Sequence, residues 1–530
     1  TKLLNKWKPE WNIKADAARG TYVFQADSLT TARKIRQPIE APGDIANAFD
    51  GITYGKGEKV IDMFENYVGP DAFQRAVQLY LSKHEWGNAT SADLLAAIDQ
   101  VSPQSHAGAA FSTFLNQVGF PLLRLEQECG PSNGPSLHVS QARFVPVGSP
   151  TSAEESWQVP VCTVWGDEAG THRNCQLLTK TSDVIKLPGG KACPAWLSAD
   201  ANAAGYYAVE YENHMAESLI DRGLNELSAA ERAALVRNTQ LLFSSGLGHP
   251  EQNLAFASDF SRSSDPGLVR QSAQLVASVN QFVPSHLRAR YAKWIRELFG
   301  AKARELGWAP KLGETQEVLL LRMTIVPLVA TYGDDTNLRD EAMKLAHQWL
   351  KDKSGLDPDM VTPVLSAAAW DGAGEFFDQL VEAIKQDKVQ RERGRMIGAL
   401  PDFRKPELAR GALDLLLQPG IDPREMQYNV FRAPDDTREI VWDFVQSHFD
   451  QLNSTLPGAR GIPYGASLPL VASGFCDTEH RKEVAAFFEP RMASLPGGAR
   501  NLANTLERIR LCTARAEVTR PAVTEFLEKQ

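Results

Sequence analysis

The chain has 530 residues, a formal net charge of −9 at pH 7 and an apolar content of 43%. Because a single hydrophobic core stops growing at roughly 250 to 300 residues, this length predicts two or more domains. The negative charge argues against sequence-independent binding of nucleic acid. The most apolar stretch, Val318 to Ala330, is interrupted by Arg322 and Pro327 and is shorter than the roughly 20 residues of a bilayer-spanning helix, so no transmembrane helix is predicted.

Residues 1–120 are predicted to be mainly helical. A first helix is indicated by apolar residues at helical spacing, namely Val60, Met63, Phe64 and Tyr67. Gly69-Pro70 ends this helix, and Asp71 is expected to cap the next one. Thr90 and Asp93 have the spacing of a capping box and open a third helix. A last helix is expected to end at Gly119-Phe120-Pro121.

Residues 121–212 have a different pattern, in which short alternating or β-branched runs replace the helical period. Five strands are predicted, at 122–126, 136–145, 157–165, 175–181 and 206–211. Turn-forming Gly, Pro, Ser and Asn separate them. This pattern predicts a small antiparallel β-sandwich.

Residues 213–530 return to the helical period and keep it to the end of the chain. One apolar stripe consists of Ala342, Met343, Ala346, Trp349 and Leu350. Pro406 lies where the first residue of a helix is expected, a position that favours proline. Short connections and helices of 10 to 18 residues indicate stacked helical pairs without a strict repeat consensus. The predicted fold is therefore mainly α with a small β-sandwich and an irregular HEAT-like or armadillo-like helical array.

The cysteines bear on the cellular location of the protein. The chain has six, at positions 129, 162, 175, 193, 476 and 512. Cys162 and Cys175 lie symmetrically about the turn 167–170, so they face each other if the flanking runs form a hairpin. A disulfide and a pair of buried thiols both fit this pattern. A disulfide would favour a periplasmic or extracellular location over the cytoplasm.

One segment is a candidate for part of a catalytic site. Residues 49–57 are Phe-Asp-Gly-Ile-Thr-Tyr-Gly-Lys-Gly, and an amphipathic helix follows at once. Tyr54 can present its phenol to a cleft if Gly55 and Gly57 permit close backbone approach. The alternative is that Tyr54 is a half-buried core tyrosine.

Three motifs in order carry a family resemblance: Pro38-Ile39, the nonapeptide 49–57, and Tyr80-Leu81-Ser82-Lys83-His84. Shorter matches continue through the rest of the chain, at 117–121, 205–207, 498–502 and 506–509. Together they resemble the M1 family of zinc aminopeptidases over essentially the whole chain. The resemblance implies the helical end of a thermolysin-like catalytic domain at 1–120, a β-sandwich spacer at 121–212 and the family's C-terminal helical domain at 213–530.

The resemblance also implies roles for residues of this segment. Tyr54 matches the family's catalytic tyrosine, whose phenol donates a hydrogen bond to the oxyanion formed when a zinc-bound water attacks a peptide bond. Phe49 matches a position that lines the pocket for the substrate's first side chain, although core packing explains it equally well. Asp50, Lys56 and Gly57 are interpreted as fixing the loop, with the Asp50 carboxylate and the Lys56 ammonium as a candidate pair. Lys56 is not expected to be a catalytic base.

The sequence departs from the family in its metal site. Zinc enzymes of this type need His-Glu-x-x-His, a later glutamate and a Gly-x-Met-Glu-Asn segment, and none occurs in the 530 residues. His84-Glu85 is followed by Asn at position 88, so it is interpreted as a chance dipeptide. The expectation is an M1 enzyme cut within its catalytic domain, inactive by itself. Zinc would belong to the complete enzyme, and the partners would be peptide substrates and the missing N-terminal part.

Two alternatives remain open at this stage. The chain could be a non-enzymatic helical-repeat binding protein built on an M1-like architecture. It could also be one fragment of a nicked enzyme whose other part stays bound. Cys476 and Cys512 are spaced like a disulfide of extracellular family members, but a buried Cys512 thiol fits equally well. The preferred N-terminal residue of the substrate and the oligomeric state are not determined.

Overall fold

The computed structural model describes residues 6–8, 11, 20–39, 50–130, 134–189, 193–427, 429–432, 434–456, 458 and 463–530. The chain divides into two compact units, Thr1–His249 and Pro250–Gln530. The domain boundaries expected at residues 120 and 212 stay a prediction.

The first unit begins with helices. They are α1 (Tyr22–Asp27), a π-helical turn (Ile52–Lys56), α2 (Gly57–Val68), α3 (Pro70–Lys83), α4 (Ser91–Val101) and α5 (Ala107–Asn116). The capping prediction for α4 is confirmed, because the Thr90 amide donates to the Asp93 carboxylate at 2.7 Å. The cap predicted for α3 is wrong. Gly69, at φ +90°, occupies the N-cap and Pro70 is the first helical residue, so Asp71 lies inside the first turn.

Within the described residues, seven strands follow in two sheets. They are β1 (Pro121–Gly130), β2 (Gly134–Arg143), β3 (Val159–Asp167), β4 (Gly170–Leu178), β5 (Ser182–Lys186), β6 (Trp196–Ser198) and β7 (Ala208–Tyr211). The sheet orders are β5-β2-β1-β7 and β4-β3-β6. The expectation of a purely antiparallel sandwich is wrong for one pair, because β1 and β7 run parallel. Strands β5 and β6 were not predicted, since β5 is a mostly exposed edge strand and β6 has only three residues.

An apolar core joins the sandwich to the helices before it. Leu123 of β1, Val161 of β3 and Phe114 of α5 belong to the same buried cluster. In the described part of this unit, the strands are followed by α6 (Asn213–Ser218), a π-helical turn (Leu219–Gly223) and α7 (Ala229–Ser244). Asn238 of α7 both accepts from the Val209 amide and donates to the Val209 carbonyl at 2.7 Å, which ties α7 to β7.

The second unit is helical throughout its described residues. Its α-helices are α8 (Pro250–Ser261), α9 (Pro266–Ser278), α10 (Arg288–Leu306), α11 (Gln316–Ala330), α12 (Thr336–Asp352), α13 (Val361–Trp370), α14 (Gly374–Gln386), α15 (Gln390–Ile397), α16 (Pro406–Asp414), α17 (Pro423–Met426), α18 (Arg438–Thr455), α19 (Thr478–Met492) and α20 (Gly498–Glu528). A long 3₁₀ segment, Tyr464–Gly474, precedes α19. Helices adjacent in sequence pack on one another, as α8 does on α9 and α12 on α13. The predicted fold class, mainly α with a small β-sandwich and a HEAT-like or armadillo-like array, is confirmed.

The apolar stretch 318–330 lies in α11. Arg322 is fully buried there and donates to Glu314 at 2.7 Å and to the Gly307 carbonyl at 3.1 Å. Within the residues that the structure describes, no helix is both long and apolar enough to cross a bilayer.

All six cysteines are paired, as Cys129–Cys193, Cys162–Cys175 and Cys476–Cys512. Cys162 and Cys175 are direct partners across the β3–β4 hairpin, as the symmetry of the sequence indicated, with Cα atoms 4.0 Å apart. Cys162–Cys175 and Cys476–Cys512 are therefore disulfides in the structure, and the alternative of buried reduced thiols is wrong for both pairs. The Cys129–Cys193 pair could not be found from sequence, because β1 and the segment before β6 come together only in the fold.

Candidate functional site

Tyr54 lies on the π-helical turn that runs directly into α2. A π-turn inserts an extra residue into the helical hydrogen-bond pattern and is frequent at functional sites. The Tyr54 side chain is 61% exposed. That exposure contradicts the alternative of a half-buried core tyrosine. Its catalytic role stays a prediction.

Asp50 holds the start of this turn. Its Oδ1 accepts hydrogen bonds from the amides of Ile52 at 2.8 Å and Thr53 at 3.1 Å, and its carbonyl accepts from the Tyr54 amide at 3.2 Å. A carboxylate in this position satisfies backbone donors that an initial helical turn leaves unpaired. Asp50 therefore fixes the loop, as expected.

Lys56 holds the other end of the turn, but not through Asp50. Its Nζ lies 3.0 Å from Asp27 Oδ2, and neither side chain has any exposure. The same ammonium donates to the carbonyls of Gln117 at 3.0 Å and Gly119 at 2.9 Å. The predicted Asp50–Lys56 pair is wrong, because the Lys56 side chain enters the interior whereas Asp50 lies on the outer side of the turn beside Arg33. Burial lowers the pKa of Lys56 while the Asp27 charge opposes that shift.

Asp27 is the centre of a buried polar cluster. It accepts from the Tyr206 hydroxyl at 3.0 Å and from the Gly119 amide at 3.0 Å, in addition to its pair with Lys56. Burial, together with the Asp27 charge, raises the pKa of Tyr206 well above its usual value. The cluster connects α1, the π-turn and the entry to the sandwich. Sequence reasoning missed Asp27. The available signal was the position of this carboxylate at the end of the mainly apolar run 22–27.

Two glycines let α1 lie against the turn. A Cβ on Gly51 would come within 2.9 Å of the Tyr22 ring, and one on Gly55 within 3.2 Å of Val23 Cβ. The expectation of close approach is thus correct for Gly55. It is wrong for Gly57, where a Cβ would have nothing within 4 Å.

Two further residues considered in the sequence are Phe49, predicted to line the substrate pocket, and His84, interpreted as part of a chance dipeptide. Phe49 lies outside the described residues. His84 follows the end of α3, and its Nε2 is 3.8 Å from Asp93 Oδ1. Across the described part of the chain, no three His, Cys, Asp or Glu side chains are grouped to hold a metal ion. These residues therefore do not fit a zinc site.

Comparison with known proteins identifies the family. The peptidase family M1 domain matches residues 1–116, and the ERAP1-like C-terminal domain matches residues 196–511. Aminopeptidase M1 of Arabidopsis thaliana is 25% identical over 95% of this chain and 58% of its own length. Aminopeptidase 2 of Candida albicans is 24% identical over 99% of this chain and 56% of its own length.

The puromycin-sensitive aminopeptidase of Caenorhabditis elegans is 22% identical over 95% of this chain and 54% of its own length. The chain thus spans about half the length of the curated relatives it matches. The helical C-terminal domain alone matches more than half of the chain, and the M1 domain matches the part that contains the Tyr54 turn. The chain belongs to the M1 aminopeptidase family.

Proposed function

We propose that this chain is the C-terminal part of a zinc-dependent aminopeptidase that removes N-terminal residues from peptides. The observation that supports this most directly is the placement of Tyr54: an exposed phenol on a backbone turn that is fixed at both ends. In this proposal the hydroxyl donates a hydrogen bond to the carbonyl oxygen of the scissile peptide as negative charge develops there. A turn that holds the donor in place needs no reorganisation when the charge appears.

The metal would be held by residues outside those described, since the described residues offer no cluster for it. The partners in this proposal are peptide substrates and the polypeptide that supplies the metal ligands. We expect the 530-residue chain alone to be inactive, because no His-Glu-x-x-His occurs in it. Three disulfides support a periplasmic or extracellular location over the cytoplasm.

The test is Tyr54→Phe in the protein extended upstream through the M1 domain, assayed with alanine, leucine and arginine p-nitroanilides. Loss of one oxyanion donor should lower kcat by about 10²- to 10³-fold. Zinc content and the urea midpoint should not change, because the lost hydroxyl belongs to an exposed side chain. Tyr22→Phe is the matched control, since Tyr22 is 69% exposed on the neighbouring α1. Near-normal turnover by Tyr54→Phe would refute the assignment.

A further inference from the structure

The guanidinium of Arg33 holds the outer side of the Tyr54 turn. Its Nε donates to Asp50 Oδ2 at 3.1 Å, and its Nη2 donates to Asp50 Oδ1 at 2.6 Å. This is the two-point arrangement in which arginine fixes both the position and the plane of a carboxylate. Nη2 also donates to Thr53 Oγ1 at 2.6 Å. The Arg33 side chain thus contacts both Asp50, which precedes the N-cap residue of the turn, and Thr53, which precedes Tyr54.

Arg33 is itself held in place. It lies in the segment after α1, and its Nη1 donates to the Lys34 carbonyl at 2.9 Å. Its side chain is only 11% exposed, against 28% for Asp50. A charge pair with this little exposure is less screened by solvent than a surface pair, and its geometry costs less entropy to maintain.

The contacts form a continuous path to the phenol. Arg33 orients Asp50, whose Oδ1 binds the amides of Ile52 and Thr53, and whose carbonyl binds the amide of Tyr54. Lys56 fixes the inner end of the same turn through Asp27. Lys56 thus holds the inner end of the turn in the core, and Arg33 contacts its outer end through Asp50 and Thr53.

We propose that Arg33 is a positioning residue for the Tyr54 hydroxyl: it sets the angle at which the turn presents the phenol, and it touches no substrate atom. The proposal rests on the function proposed above for Tyr54. A displacement of about 1 Å in a catalytic group can cost 10²-fold in rate. Arg33→Gln should therefore lower kcat about 10- to 100-fold through misplacement alone.

The experiment is a double-mutant cycle in the upstream-extended protein with the same p-nitroanilide substrates. Arg33→Gln is expected to lower kcat while KM changes by less than about two-fold, because the interaction at stake is made in the transition state. In the Tyr54→Phe background the same substitution should change kcat by less than about two-fold, since the hydroxyl it positions is already gone. Arg36→Gln is the matched control. Arg36 lies three residues along the same segment and bonds Ser91 instead of the turn.

The outcomes separate the two proposals. An equal loss of kcat from Arg33→Gln in both backgrounds would show that Arg33 acts independently of the hydroxyl and would overturn the inference, as would an unchanged kcat in the single variant. If Tyr54→Phe alone has no effect, the proposed function fails, and the positioning role fails with it. If Arg33→Gln does not fold, Thr53→Val removes one hydrogen bond from the guanidinium and leaves the Asp50 pair intact. Its smaller kcat loss should disappear in the Tyr54→Phe background, and a loss that persists there would overturn the inference.

Discussion

Lys56 and Asp27 form an ion pair in which Nζ and Oδ2 are 3.0 Å apart and neither side chain has any exposure to solvent. Lys56 is two residues from Tyr54, so the pair connects the turn that presents the phenol to the core of the first unit. The ammonium and the carboxylate both have further hydrogen-bond partners, as a buried charge pair requires.

The first prediction concerns this pair. Lys56→Met should lower the free energy of unfolding by about 3 to 5 kcal/mol, because it leaves the Asp27 carboxylate buried without its counter-charge. The measurement is urea unfolding followed by circular dichroism. Lys56→Met combined with Asp27→Asn removes both charges and should recover part of the loss. If Asp27→Asn lowers the free energy of unfolding as much in the Lys56→Met variant as it does in the wild type, the two side chains are not energetically coupled.

The second prediction compares two glycines that flank the site. Gly119 has φ +85°, and a Cβ there would lie 2.6 Å from Arg143 Nε. Gly119→Ala should therefore lower the free energy of unfolding by about 1 to 2 kcal/mol or more. Gly57 has φ −57°, and no atom lies within 4 Å of a Cβ placed there. Gly57→Ala should therefore raise the free energy of unfolding by about 0.5 to 1 kcal/mol. Thermal unfolding of the two variants tests both signs, and a stabilised Gly119→Ala would contradict the backbone argument.

The third prediction is a pH dependence in the second unit. His480 Nδ1 lies 2.7 Å from Asp477, and its Nε2 lies 3.0 Å from Glu439 of α18. Partial burial alone would lower the pKa of His480, but hydrogen bonds and charge from Asp477 and Glu439 outweigh it and raise the pKa above its usual value. A raised folded-state pKa means that the imidazolium adds stability below the unfolded pKa of about 6.5, and that this stability is lost as pH rises through the folded value.

His480→Gln should therefore lower the melting temperature most at pH 5.5 to 6 and least above the folded pKa, where the wild-type imidazole is neutral. His347→Gln is the control, because His347 Nδ1 lies 3.0 Å from Oε1 of Gln379, a neutral side chain. A melting-temperature difference that does not vary between pH 5.5 and 9 would show that the His480 charge contributes nothing to stability.

The fourth prediction concerns the order in which the disulfides are reduced. Both sulfurs of Cys129–Cys193 belong to exposed residues, whereas Cys162 is buried. Because thiol–disulfide exchange requires access to a sulfur atom, Cys129 and Cys193 should be the first pair to react. Brief treatment with dithiothreitol, alkylation and peptide mass spectrometry measure this order. Equal labelling of Cys129 and Cys162 at early times would contradict it.

The sequence by itself determined the fold class, the helical or strand character of most segments and the family. Local physics fixes these features: the 3.6-residue period, Gly69-Pro70 at a helix end, Pro406 at a helix start, and the symmetry of Cys162 and Cys175 about their turn are visible within short windows. The nonapeptide 49–57 likewise located the candidate turn and its tyrosine.

Only the tertiary structure decided which charges pair around that turn. Lys56 bonds Asp27 and Asp50 bonds Arg33, partners that are 29 and 17 positions away in the chain. Nothing in the local pattern selects them, because the choice depends on which side of the turn faces the core and which faces outward. The parallel β1–β7 pair and the Cys129–Cys193 disulfide have the same origin. Each joins segments far apart in sequence, and long-range pairing of that kind is set by packing the whole unit and not by the preferences of either segment.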